Sequence, residues 1–422
     1  MAALAALALV RSLVFASLTP PYQSSDEPWH LDYARVVGQG HLPVTGRTQL
    51  DPAIVVHAKQ VSSDRHVTLY GITNPPLSRE AFQPPLAYIV PGVGYRLLGA
   101  RGGLLWFRAF DALLGVVLVL VAYGAARRAF PESPWAGPLA GLTVACLPSV
   151  AMVTSSASND AAAGVLALAA LAMAAGLARQ GGSIRRFAVL GALVGAAGLA
   201  KTTGLAAAPP AVVAAVVAPR AHRSAGARSS RPYAIGAVAG AAALVMAPWV
   251  ARNLWVYGDL TGTKAFVDSY PGSRIGGLSL LLAGRPRLTG AHRFWPELLR
   301  SAVGVLRWSD LRLPGWAYAL AGAGALAGFA AVAAWLRRAA PVNRRAAAVL
   351  LSALPFGVVA TAWFALTVDW QPQGRYLIPG MLGAASVVGA SCGWRGFAVA
   401  GGALLALLGA GIATTARTYG LP

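Results

Sequence analysis

Acidic side chains are scarce in this sequence. The 422 residues include 14 Asp and Glu against 35 Lys and Arg, a formal net charge of +21. Only 12% of the chain is charged while 56% is hydrophobic, with a mean hydropathy of +0.58. That composition excludes an ordinary soluble globular domain and points to a polytopic membrane protein. Cysteine is almost absent: Cys146 falls inside an apolar run and Cys392 beside a basic loop, so a disulfide framework is excluded and two inert thiols are expected. Lysine occurs only as Lys59, Lys201 and Lys264. Long polar tracts are few, and apolar runs recur to the C-terminus, leaving no room for a separate soluble domain. A nucleic-acid partner would account for the charge, but the arginines lie in short clusters between apolar runs. The charge therefore reads as topology, with a minor share available for anionic lipid or phosphate, and no nucleic acid is expected.

What is present is a series of apolar segments. Spans are expected at 2–18, 104–126, 135–155, 161–178, 187–200, 204–218, 233–255, 316–336, 346–366, 377–390 and 397–414. The first reads as an uncleaved span with its N-terminus in the cytoplasm, since no basic leader precedes it. With that orientation the arginine clusters at 127–128, 179–186, 220–231, 337–345 and 395 all fall inside, as the positive-inside rule requires. Counting 82–100 as a further span would reverse every later loop, so that stretch reads as a helix lying on the outer surface. The expected fold is all-α: a transmembrane helical bundle of about eleven spans in one domain, 1–422, with a large first outer loop at 20–103 carrying surface helices. A second outer loop runs over 257–313 and a short one over 368–379; no soluble C-terminal domain is expected.

Against the scarcity of acid, the segment Pro20-Pro21-Tyr22-Gln23-Ser24-Ser25-Asp26-Glu27-Pro28-Trp29-His30 stands out. Two adjacent carboxylates and a histidine directly after the first span could accept a proton beside a lipid substrate. The competing reading is a helix cap, with Ser25 or Asp26 satisfying free amides ahead of a short helix. His30, His41, His57 and His66 share this loop, but their spacing matches no standard metal-ligand set. No cofactor is expected, and a divalent metal is not indicated.

Later polar residues fall at predicted span ends. Asn159 and Asp160 open a span, where a helix cap competes with substrate contact. Lys201 sits between two short apolar halves, a position that is costly without a partner; Lys201-Thr202-Thr203-Gly204 suits an anionic group, with snorkelling to the interface as the alternative. Arg252 and Arg375 lie where two other spans meet the outer surface. Their forks suit a phosphate diester, and Trp249, Trp370 and Tyr376 suit sugar faces or the lipid interface. Together these placements point to a lipid-phosphate substrate whose tail lies among the helices.

These motifs resemble the GT-C superfamily of integral-membrane glycosyltransferases. The resemblance rests on Asp26-Glu27 after the first span, Gln83-Pro84-Pro85-Leu86 followed by Arg108, Lys201-Thr202-Thr203-Gly204, residues 248–262, and Gln373-Gly374-Arg375-Tyr376. The pattern looks closest to a bacterial branch of predicted membrane proteins, on Asp26-Glu27-Pro28-Trp29-His30, Ser158-Asn159-Asp160 and the Trp308-Ser309-Asp310 to Pro314 element. It implies transfer of a sugar, with inversion, from a polyprenyl-phosphate donor to an acceptor on the extracytoplasmic face of the cell membrane. Asp26 or Glu27 would be the general base, and Lys201, Arg252 and Arg375 would hold the carrier phosphate. His30, Gln83, Asn159, Asp160, Gln373 and Tyr376 complete the expected substrate-binding set. The partners expected are the lipid-linked donor and membrane lipid. Two other readings compete: a flippase for a lipid-linked saccharide, motivated by Lys201 at a broken helix, and a polymerase or ligase using Arg285, Arg287, His292 and Arg293 late in the chain.

Overall fold

The computed structural model describes residues 1–69, 72, 77–219, 231–270, 291–367 and 370–420. Apolar side chains with few helix breakers make the described chain overwhelmingly helical, and the helices bundle around a continuous apolar core. Six helices in it are long and apolar enough to cross a membrane, and the protein is multi-pass. In order, the first half of the chain forms α1 (Ala2–Leu18), α2 (Glu27–Gly38), α3 (Pro52–Arg65), α4 (Ile89–Ala129), α5 (Ala136–Cys146), α6 (Pro148–Val153), α7 (Asp160–Gln180), α8 (Ile184–Ala200) and α9 (Ala208–Val217). The second half adds α10 (Arg231–Tyr257), α11 (Thr263–Ser269), α12 (Ala291–Val303), the strands β1 (Val305–Leu306) and β2 (Leu311–Arg312), α13 (Gly315–Arg338), α14 (Pro341–Thr367), α15 (Ile378–Ser391) and α16 (Trp394–Thr418).

The expected spans fall largely on helical chain, six of the eleven on the long apolar helices and five on shorter ones, and one span and the 82–100 segment depart from the simple picture. The 135–155 span is divided: Leu147 is extended (φ −72°, ψ 122°) because Pro148 disfavours helical geometry before it and then opens α6 as its first residue. The 82–100 segment, expected to lie apart from the spans, instead runs into the following one: Leu86–Ala129 is a single apolar helical stretch, kinked at Gly99 (φ 67°, ψ −167°). The small antiparallel hairpin β1–β2 was not anticipated in an all-α chain. Both thiols are free, as expected.

α7 is the organising helix. It touches α4, α8, α9, α14 and α15, and 56% of its apolar window is buried, against 11% for α13 at the periphery. Its Ala- and Gly-rich sequence allows such close neighbours on all sides. The N-terminal residue of α7 is Asp160, so the most enclosed of the six long apolar helices delivers a carboxylate to the end of the bundle where the first loop folds over.

Candidate functional site

The site begins with a scaffold between α1, α2 and α4. The Arg108 guanidinium donates to Glu27 Oε1 from Nε (2.8 Å) and to Glu27 Oε2 from Nη2 (2.7 Å). It also donates to the carbonyls of Ala16 (3.0 Å), Thr19 (2.8 Å) and Pro20 (3.1 Å), serving the orphan acceptors at the end of α1. Glu27, fully buried, accepts two further bonds, from Tyr22 N–H (2.9 Å) and Ala157 N–H (3.0 Å). Each carboxylate oxygen therefore holds two donors. One turn along α4, Asp111 accepts from Ser158 N–H (3.0 Å). Glu27 and Asp111 thus pin the backbone just ahead of α7 and fix where Asp160 stands.

Asp26 has the opposite surroundings. It sits in the left-handed region (φ 66°) at the start of α2, with no side-chain cap bond. Ser25 does not cap either, since its hydroxyl donates to the Arg307 carbonyl (2.8 Å). The cap reading of the first-loop acids is therefore overturned. The hairpin that holds Ser25 is the Trp308 to Pro314 element noted in the sequence: Trp308 Nε1 donates to Tyr22 O (3.1 Å), its ring meets Trp29 edge-on at 5.5 Å, and Arg307 pairs with Asp310 (2.7 Å). Asp26 Oδ2 lies 3.2 Å from Arg375 Nη2, and the Asp26 side chain keeps 20% exposure.

Arg375 links Asp26 to the start of α7. Its Nη1 is 3.3 Å from Asp160 Oδ2, while Asp160 Oδ1 accepts from Lys201 Nζ at 2.5 Å. The Tyr376 ring lies 5.1 Å from Lys201 Nζ and 5.5 Å from the Arg375 guanidinium carbon. Lys201 stands in extended chain (φ −159°) between α8 and the 3-10 turn Thr202–Ala207, so the helix break foreseen there is present and its lysine has a partner. The tight return after Lys201 needs glycine, because a Cβ on Gly204 would stand 2.2 Å from Ala197 O. Gly374 has the same role beside Arg375, where a Cβ would meet Ala302 N at 2.1 Å. Neither the oxygen nor the nitrogen of the Asn159 side-chain amide has a partner among the described residues, and Arg375 Nε is likewise unbonded. The site is thus polar, largely enclosed and incompletely satisfied.

His30, buried on α2, bonds through Nδ1 to Tyr88 OH (2.8 Å). Burial pushes its imidazole down to about 3, against the opposite pull of Asp26, so it is neutral at ordinary pH. Glu80 is pushed up to about 7, by burial first and then by Asp26. Donor atoms of Asp26, His30 and Glu80 all lie within 4.8 Å of one another. Two carboxylates facing a neutral imidazole whose Nδ1 is already oriented by a tyrosine fit a divalent cation. Sequence spacing gave no hint of this trio, because Glu80 lies fifty residues beyond His30 and arrives through the 3-10 turn Arg79–Phe82. Gln83, nearby, is buried with its Oε1 unpartnered, and its carbonyl accepts from Tyr33 OH (2.6 Å).

Below the charged cluster a narrow cleft runs along α7 from Asp160 to Leu171, with Arg375 and Tyr376 in its lining. Its remaining walls are small and mostly apolar: Ala163, Gly164 and Ala167 of α7, Ala207 and Pro210, and Gly357 of α14 among others. Arg252 does not join this cluster. Its guanidinium donates to Pro43 O (2.6 Å), Tyr257 OH (3.2 Å) and Asn253 Oδ1 (3.1 Å), and it stacks on Trp249 at 4.8 Å. It ties the first loop to α10. Gln373 lies beside a different cleft. Of the late-loop residues, His292 is exposed, Arg293 pairs with Glu297 (2.8 Å), and Arg285 and Arg287 lie outside the described residues.

Residues 83–251 match the family model of dolichyl-phosphate-mannose-protein mannosyltransferases, a GT-C family. No curated protein matches the chain. Among solved structures, the fold is similar to apo ArnT from Cupriavidus metallidurans, at TM-score 0.48 and 16% identity, covering 91% of this chain and 58% of that one. It is also similar to the oligosaccharyltransferase of Archaeoglobus fulgidus in the apo form, at TM-score 0.47 and 13% identity, covering 99% and 56%. ArnT bound to undecaprenyl phosphate scores 0.42 at 16% identity, covering 96% and 77%. The chain spans a little over half the length of the first two.

Proposed function

We propose that this protein is a GT-C-type membrane glycosyltransferase, of the bacterial branch its motifs resemble, that moves a sugar from a polyprenyl-phosphate carrier to an acceptor hydroxyl on the extracytoplasmic face. The observation that carries the reading is the joining of two environments in one cleft: small apolar walls suited to an isoprenoid tail, ending at the Lys201–Asp160–Arg375 charge network beside Asp26. The family model matched over 83–251, whose name states a dolichyl-phosphate sugar, supports the donor class. The basic clusters at the opposite loops support the outward-facing site through the positive-inside rule, and the eleven-span count goes with that orientation.

Asp26 is the base in this mechanism, because it alone of the two adjacent acids has an oxygen left to accept a proton. The acceptor hydroxyl gives its proton to Asp26 as its oxygen bonds to the anomeric carbon from the face opposite the phosphate. The anomeric carbon–oxygen bond to the carrier breaks, its electron pair leaves with the polyprenyl phosphate, and Lys201 and Arg375 hold the charge that develops there. Asp160 keeps those two cations apart and oriented before the phosphate arrives. A divalent cation held by His30 and Glu80 near Asp26 would supply positive charge on the acceptor side of the site, leaving the second Asp26 oxygen for the proton. Glu27 serves by fixing the backbone around the site and takes no part in proton transfer.

Membrane vesicles containing the full chain, supplied with polyprenyl-phosphate sugar and a mixed acceptor extract, test the reading by formation of a new glycosidic product. Product from wild type and none from Asp26→Asn is the expected result. Full activity in Asp26→Asn would remove the proposed base. Movement of the lipid-linked sugar across the bilayer with no product formed would overturn transfer in favour of transport.

A further inference from the structure

A second cleft, of about 670 Å³, shares no lining residue with the lipid groove. It lies between α12, the β1–β2 hairpin and the segment 370–373, and three arginines line it against one carboxylate. That carboxylate, Glu297, is already engaged: Arg293 pairs with it at 2.8 Å and Trp370 Nε1 donates to it at 2.9 Å. Arg300 and Arg312 are exposed, and neither meets a carboxylate among the described residues. The bond to Glu297 fixes the Trp370 indole in the wall, beside the amides of Gln371 and Gln373.

Two short connections tie this cleft to the reacting centre. Ser301, in its wall, accepts from Gly374 N–H (2.7 Å), and the next residue, Arg375, is the partner of Asp26. The hairpin that forms another wall accepts the Ser25 hydroxyl bond at Arg307 O, and the residue after Ser25 is Asp26. A ligand seated here would therefore lie against the two segments that position the base.

We propose that this cleft binds the acceptor, and that the acceptor is a saccharide bearing a carboxylate or phosphate group. The assignment rests on the transfer reading above and adds the chemical class of the second substrate. Two guanidinium forks without acidic partners suit an anionic group, a fixed indole suits the apolar face of a pyranose, and the Gln373 amide suits a ring hydroxyl, while Gln371 is already bonded to Tyr376 OH (2.9 Å). An anionic phospholipid headgroup would satisfy the arginines alone and leave the indole without a role.

Binding is measured on the full-length protein in phosphatidylcholine nanodiscs, without donor, using fluorescein-labelled trigalacturonate and the matching neutral trigalactoside, with glucose 6-phosphate and galacturonate as separate competitors. Wild type is expected to prefer the acidic probe by at least about 10-fold. The double variant Arg300→Gln, Arg312→Gln is expected to lose that preference, and Trp370→Leu to weaken both probes several-fold; Arg252→Gln, which lines neither cleft, should bind as wild type does. Competition by glucose 6-phosphate or by galacturonate identifies which acid the cleft favours, and either result supports the proposal. Equal affinity for the two probes, or a preference that survives the double variant, would overturn it. So would loss of probe binding when phosphatidylglycerol replaces phosphatidylcholine, because the membrane surface would then be the occupant. Acidic-probe binding together with no product in the vesicle assay would sink the transfer reading while leaving a saccharide site; product without such binding would do the reverse.

Discussion

Asp26 and Glu27 are neighbours in sequence, yet their carboxylates belong to two different regions. Glu27 points into the junction of α1, α2 and α4, where four donors saturate it and its charged partner, Arg108, is itself fully used. Asp26 points to the mouth of the bundle, where it shares Arg375 with Asp160 and retains contact with solvent. Around Glu27 every oxygen is served and only Asp111 Oδ1, one turn along α4, lacks a partner, while among the described residues the second region leaves the Asn159 amide, Arg375 Nε and one Asp160 oxygen without hydrogen-bond partners. Completed networks rigidify, whereas unsatisfied buried polar groups at a cleft are where a ligand gains most. The left-handed backbone at Asp26 is what turns the two side chains apart.

Breaking this contrast gives the largest effect at Asp26. Asp26→Asn should lower transfer by roughly 10²- to 10⁴-fold while leaving thermal stability near wild type, measured as product formed in vesicles alongside detergent-solubilised melting. Arg108→Ala should do the reverse. Leaving Glu27 buried without its cation costs about 3–5 kcal/mol, read as lost yield and a lowered melting temperature. If Arg108→Ala melts normally but cannot transfer sugar, the scaffold and the reacting centre have been assigned the wrong way round.

Lys201→Met sharpens the comparison within the open region. It leaves Asp160 with Arg375 alone and should weaken binding of polyprenyl phosphate by about 10- to 100-fold, read by titration of the lipid into nanodiscs. Arg252→Gln, which touches the first loop and none of the charged cluster, should leave that titration unchanged and cost about 1 kcal/mol of stability.

The smallest effect is one of pH. Glu80 rises from an ordinary carboxylate value of 4.5 to about 7 in the folded protein, so folding favours its neutral form. Its favourable contribution is complete below 4.5 and is lost as pH climbs through about 7. Glu80→Gln should therefore match wild type near pH 4.5 and exceed its melting temperature by a few degrees at pH 8, measured in EDTA. An advantage that shrinks with rising pH would contradict the assigned surroundings.

Much of the fold was legible because bilayer physics acts on composition and periodicity, which a sequence displays directly. The helix at 160–180 and the break at Lys201 were readable from hydropathy, glycine and charge placement, whereas the 82–100 segment, expected apart from the next span, joins it across a kink at Gly99. The division at Leu147 was also written in the chain, in Pro148, but lay hidden inside an apolar run. The site was legible only in part. Scarcity of acid made Asp26 and Glu27 conspicuous without separating them, and Arg252 looked like Arg375 because both flank aromatic residues near span ends.

The sequence by itself determined that this chain lives in a membrane, that it is helical, and that polar chemistry gathers near the ends of its apolar segments; these follow from how many apolar and charged side chains there are and how they are spaced. Tertiary structure alone decided which charges meet. Glu27 with Arg108, Asp160 with Lys201, Asp26 with Arg375, and Glu80 beside His30 are partners across tens to hundreds of residues. Electrostatic and hydrogen-bond energies depend on distances of a few ångströms and on what solvent remains, and only the packing of the helices and the first loop against one another fixes those quantities.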